Sequence, residues 1–106
     1  MLNAPGAAIY VRADGPDNRR QQLFRCQAYA NQHGLVVIPT HIYEEEEGSE
    51  QIFDRPIFAT MFQALYGGKF SHLVVTGEDV LFHGPDDLNG FKRVLAQYSI
   101  QLHTAG

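Results

Sequence analysis

The chain has 106 residues, 44% hydrophobic and 19% charged, the composition of one ordinary globular domain. Its formal net charge of −4 argues against strong unaided DNA binding, which rests on basic patches and counterion release. No apolar run approaches the ~18 residues that would span a bilayer, and Met1-Leu2-Asn3-Ala4-Pro5-Gly6 lacks the basic start and apolar stretch of a secretion signal.

Residues 1–6 read as a loose tail and residues 7–106 as one domain. Ala7 to Arg12 is a short apolar run rich in β-formers and predicts a strand. Asp14-Gly15-Pro16-Asp17 is a turn cluster, and Asp17 or Asn18 is suited to cap the helix expected from about Arg19 to Gln32. Leu23, Cys26 and Ala30 give that helix one apolar face, and Gly34 ends it. Leu35 to Tyr43 predicts a second strand, whose unbroken Val36-Val37-Ile38 suits cover on both faces. Glu44 to Gln51 reads as a solvated acidic loop.

Asp54-Arg55-Pro56 opens a second helix, with the proline where its missing N–H costs nothing. Ile57, Phe58, Met61, Phe62 and Leu65 form its apolar stripe, and Gly67-Gly68 closes it. A third strand from Phe70 to Thr76, a loop from Gly77 to Pro85, a third helix from Asp86 to Tyr98 and a last strand from Ile100 to His103 complete the chain. Strands alternating with helices over short connections predict an α/β layer fold. Right-handed crossovers make it a three-layer, mostly parallel sheet of four to five strands, with helices on both faces, in a Rossmann-type topology.

Ligands of such sheets sit beyond the carboxyl ends of the strands. Arg12 and Asp14 at the end of the first strand, and Glu78 and Asp79 after the third, are therefore expected to approach one another. The lone cysteine, Cys26, excludes an internal disulfide and fits a reducing cytoplasm, and its helix face makes it a core thiol. His33, His41, His72, His83 and His103 show no metal-ligand spacing and read as surface or strand-end residues. Nothing in the pattern calls for a cofactor. Any exposed side chain among Phe53, Phe58 and Phe82 would mark an interface.

Several stretches, in the right order, resemble the catalytic domain of serine recombinases, the resolvase and invertase family. Tyr10-Val11-Arg12-Ala13-Asp14 is similar to the family's opening Tyr-x-Arg-Val-Ser. Arg25 to Ala30, with His33-Gly34-Leu35 after it, is similar to its first helix and exit. Asp54-Arg55-Pro56 resembles the opening of its second helix, and Gly68-Lys69-Phe70 before Leu73-Val74-Val75 the approach to its third strand. The resemblance implies that Arg12 and Arg55 are candidate phosphate-binding residues and that Gln22 lies beside the nucleophile position. It also implies a change of chemistry. Asp14 stands where the family has its serine nucleophile. Asp79-Val80-Leu81-Phe82-His83 stands where the family has Asp-Arg-Leu-x-Arg, so Val80 and His83 replace two arginines.

A carboxylate at position 14 repels the phosphate it would have to attack, and valine offers none of arginine's planar donors. No counterpart of the family's long dimer helix or helix-turn-helix reader is found in the sequence. The resemblance therefore implies an inactive recombinase-like domain that works through a protein partner or self-association, derived from a mobile element. Under this reading Arg12 and Arg55 pair internally with Asp14 and Asp79. Two other functions compete. Asp14, Glu78 and Asp79 could hold Mg²⁺ for phosphodiester hydrolysis, although the stricter acidic pattern of topoisomerase-primase domains is not matched. Arg12, Arg55, Lys69 and Arg19-Arg20 could bind nucleic acid without sequence preference. A receiver-type signalling domain is disfavoured, because its lysine at the last strand is missing.

Overall fold

The first strand is buried almost throughout, and the sheet is built around it. The computed structural model describes residues 6–47 and 55–106. In it β1 (Gly6–Ala13) leads to α1 (Pro16–Gln32), β2 (Val36–Glu46), α2 (Pro56–Tyr66), β3 (His72–Val75), a 3-10 turn (Glu78–Val80), α3 (Pro85–Gln97) and β4 (Gln101–Thr104). The sheet is parallel, in the order β2-β1-β3-β4. The α1 helix packs on one face, through Ile9, Val11, Cys26 and Val74. The α2 and α3 helices cover the other, over a larger core that includes Tyr10, Phe58, Met61, Leu73, Leu81 and Phe91. The expected α/β architecture is thus present, with four strands among the described residues.

The strand ends explain where the helices begin. Each α-helix has a proline in its first turn, where the amide hydrogen has no intrahelical partner. Gly34 and Gly68, both at positive φ, turn the chain back after α1 and α2. The cap of α1 differs from expectation. Gly15 occupies the N-cap with no side-chain cap bond, and Asn18 instead donates to the Asp14 carbonyl.

The second strand departs further. The Val36-Val37-Ile38 run was expected under cover on both faces, yet β2 is the edge strand and Val36 is 47% exposed. Doubly covered burial belongs to the central β1. The pairing of β1 with β2 also slips, because Ala7 faces Val37 while Ile9 faces Ile42. Pro39 lies in the extra stretch, where a residue that cannot donate to the ladder is tolerated.

The acidic stretch is not all loop. The β2 strand continues through Glu46, and Glu45 is only 5% exposed. Residues of one parity on a strand share a face, so Tyr43 and Glu45 both turn inward while Glu44 and Glu46 face solvent. Residues 48–51 of that expected loop, the tail residues 1–5, Asp54 and Phe53 lie outside the described residues. Phe58 and Phe82 are buried, so neither marks an interface. The most exposed large aromatic among the described residues is Phe24 of α1, at 72%, with Tyr66 and Tyr98 exposed to a lesser degree.

Candidate functional site

The carboxyl ends of β1 and β2 hold a buried polar cluster. Tyr10 and Arg12 project from β1 to the same side of the sheet, and Glu45 lies opposite Arg12 in the β1–β2 register. The Tyr10 hydroxyl donates to Glu45 Oε1 at 2.6 Å. The same carboxylate accepts the first free amides of α2. Ile57 N–H reaches Oε2 and Phe58 N–H reaches Oε1, each at 3.0 Å. Glu45 thus caps α2 from a neighbouring strand, a favourable place for negative charge. Burial, reinforced by the Glu45 hydrogen bond and charge, pushes the Tyr10 phenol well above its ordinary value. The charges of Arg55 and Arg12 act on it in the opposite sense, which sets both guanidinium groups beside this cluster.

Arg55 stands at the N-cap of α2 and is 1% exposed. Its Nη1 donates to the Leu81 carbonyl at 2.5 Å. The guanidinium carbon lies 5.0 Å from the Phe82 ring centroid and 5.7 Å from that of Phe58, within cation–π range. Arg12 is 3% exposed. Its main chain is held by Gln22, whose Oε1 accepts the Arg12 N–H and whose Nε2 donates to the Arg12 carbonyl, each at 3.1 Å. The β3 pairing ends at Ile9, so the Gln22 amide serves as a partner where the strand next door has stopped.

The acidic residues expected to answer these arginines do not. Asp14 and Asp79 are exposed. The ion pairs among the described residues join Arg19 to Glu46, Arg20 to Asp17 and Lys92 to Glu78, not Arg12 to Asp14 or Arg55 to Asp79. The reason is positional. Arg12 is still within the strand and faces the core, whereas Asp14 follows the strand's last residue and faces water. Asp14 lies in an open groove of about 390 Å³ with Asn18, Gln22, Arg25, Glu47 and Thr76. Glu78 is engaged by Lys92, and no group of three or more metal-ligating side chains gathers among the described residues. Asp14, Glu78 and Asp79 share one end of the sheet without forming a ligand set.

The turn after β3 sorts its side chains by face. Val80, Leu81 and Phe82 enter the core, while Asp79 and His83 point outward. Every described aspartate and glutamate lies at this same end of the molecule, on the closing residues of β1 and β2, in the β3–α3 turn or in the first turns of α1 and α3. Among the candidate nucleic-acid contacts, Arg19 is committed to the Ala13 carbonyl and Glu46, and Arg20 to Asp17. The sequence reading missed Glu45 as a site residue. Its signal was the parity it shares with Tyr43, had the strand been extended through the glutamates.

Cys26 is fully buried, and burial pushes its thiol up to about 12 against the opposing charge of Arg25. It is a core residue, not a nucleophile. No described helix is long and apolar enough to cross a membrane.

The family model for the resolvase N-terminal domain matches residues 7–106. Among solved structures, the N-terminal catalytic domain of TP901-1 integrase is similar with a TM-score of 0.82 at 22% identity, over 94% of this chain and 76% of that one. The C-terminal catalytic domain of ISC1926 TnpA, an IS607-like serine recombinase, has a TM-score of 0.80 at 16% identity, over 95% and 67%. The first open reading frame of transposon ISC1904 from Sulfolobus solfataricus P2 has a TM-score of 0.75 at 12% identity, over 97% and 68%. No curated protein matches the sequence.

Proposed function

Because the chain belongs to the resolvase N-terminal domain family of serine recombinases, we propose that it is a catalytically silent member, acting through contacts with a protein partner or a second copy. The observation that carries this reading is Asp14. It takes the place of the family's serine, at the end of β1, and faces solvent in a groove shared with Glu47 and Arg25. A phosphodiester approaching this end meets carboxylates at the closing ends of β1, β2 and β3, and negative groups repel it most where water is partly excluded.

Two further features support it. Phosphoryl transfer needs cationic donors where charge develops. Val80, at the place of a family arginine, is packed into the core, and the second such place is held by His83. Arg55, the candidate phosphate ligand, spends a donor on the Leu81 carbonyl and lies against two aromatic rings. The transposon and integrase names among the similar structures fit an origin in a mobile element.

The test is titration of a labelled DNA duplex with the purified protein at low salt, with and without Mg²⁺, read on native and denaturing gels. No shift and no cut is the expected outcome. A covalent protein–DNA species, or metal-dependent cuts abolished by Asp79→Ala, overturns the proposal. Binding that weakens steeply with salt but leaves the strands intact would assign the domain to nucleic-acid binding instead.

A further inference from the structure

Far from the carboxylates, three elements meet through a chain of side-chain hydrogen bonds. His72 of β3 and His103 of β4 lie on the α1 face of the sheet, and His72 Nδ1 is 2.9 Å from His103 Nε2. The other nitrogen of His103, Nδ1, is 3.0 Å from the Tyr29 hydroxyl of α1. His33 stacks on the Tyr29 ring with centroids 3.9 Å apart. These are the titratable groups that face the pair: Tyr29 and His33 from α1, His72 from β3 and His103 from β4. The described carboxylates are all at the opposite end of the strands.

The geometry limits how many protons the pair can hold. With both rings neutral, one imidazole donates its N–H and the other accepts. One added proton can sit on His103 Nδ1, with the Tyr29 oxygen as acceptor, and the link to His72 survives. A second added proton sets N–H against N–H across 2.9 Å, between two cations. The ring nitrogens face each other along a hydrogen bond, so the arrangement suits a proton better than a metal ion. Partial burial, then the charges of His72 and His33, push His103 below the ordinary histidine range.

We propose that the Tyr29–His103–His72 chain is a proton-sensitive latch on the β4 edge: it closes when at most one added proton is bound and opens when both histidines are charged. The β4 strand is short, spans Gln101–Thr104, and among the described residues pairs with β3 alone. At its start Gln101 N–H donates to the carbonyl of Ser71, just before β3, at 3.0 Å, and just after its end Ala105 N–H donates to the carbonyl of Val75 at 2.7 Å. Opening the latch sets two like charges on these adjacent strands and breaks the side-chain link between β3 and β4, while His103 Nδ1–H can still donate to the Tyr29 oxygen. An edge strand loosened in this way exposes backbone donors and acceptors able to pair with another chain.

The experiment follows the imidazole resonances by NMR from about pH 7.5 to about pH 5, together with amide exchange at Gln101 and Ala105, in the wild type and in His72→Gln. Glutamine can accept the His103 N–H in either charge state but cannot itself titrate. In the wild type the pair should titrate in two separated steps. The protection factors of the two amides should fall about tenfold or more across the second. In His72→Gln the His103 midpoint should rise and the protection should persist in acid, while His41 titrates as before. Single-step titration with unchanged midpoints in the variant overturns the latch, as does wild-type protection that is indifferent to acid. His103→Gln supplies the reciprocal reading should His72→Gln fail to fold.

Discussion

At the scale of single residues, Glu45 has the most demanding position. One buried carboxylate accepts a phenol and two helix amides, so its removal strands three donors in a dry site. Glu45→Ala should lower the unfolding free energy by about 3 kcal/mol, the range for a lost charged acceptor in a buried network, measured by urea denaturation. Glu45→Gln should cost less, because one amide oxygen can still accept. Equal stability of all three proteins would show that the carboxylate is not the cap of α2. Asp14 is the contrasting case. The sequence reading made it the internal partner of Arg12, which predicts that Asp14→Asn destabilises. Its exposure reverses that expectation: the variant should melt with the wild type, as surface substitutions usually do, and a large drop in Tm would restore the pairing. Cys26 should resist thiol reagents in the native protein and react once urea unfolds it, since its thiol is buried and pushed up to about 12.

At the scale of elements, the join between α1 and β1 rests on Gln22. Its amide imitates a strand where β3 no longer runs beside β1. Gln22→Ala removes two hydrogen bonds to the Arg12 main chain and should cost about 1–2 kcal/mol, with amide exchange faster at Arg12 than at Ile9. Uniform exchange along β1 would mean that water or a shifted helix replaces the amide without loss. The 3-10 turn shows the same economy. Three residues suffice to send Val80 inward and Asp79 outward, so the turn that would carry catalytic arginines in the family also closes the core.

At the scale of the whole molecule, charge is sorted along the strands, with the described carboxylates at one end and the histidine chain away from them. Acid acts on both partly buried imidazoles in the same sense. His103 is lowered by burial, then by its histidine neighbours, and His41 by burial, then by Lys69. A group whose folded value lies below its unfolded one contributes stability that is complete above the unfolded value, near 6.5 for histidine, and is lost as pH falls through the folded value. Urea midpoints should therefore be level above about pH 7 and decline below about pH 6. A midpoint that rises on acidification would contradict both assignments.

The local pattern of the chain determined much of this. Alternating apolar runs and amphipathic stretches, prolines at helix starts and glycines after them specify strands, helices and their order, because each signal spans only a few residues. The α/β class and the family resemblance follow from that order. Tertiary structure alone decided the rest. Strand order makes Val36-Val37-Ile38 an edge and Ala7 to Ala13 the centre, and no local run encodes its place in a sheet. The register of β2 on β1 carries Glu45 from an apparent loop into a buried cap, 35 residues along the chain from Tyr10. Pairing of β3 with β4 brings His72 within hydrogen-bond reach of His103, 31 residues away. Each of these depends on which strands become neighbours, a property settled by how the whole chain buries its apolar faces.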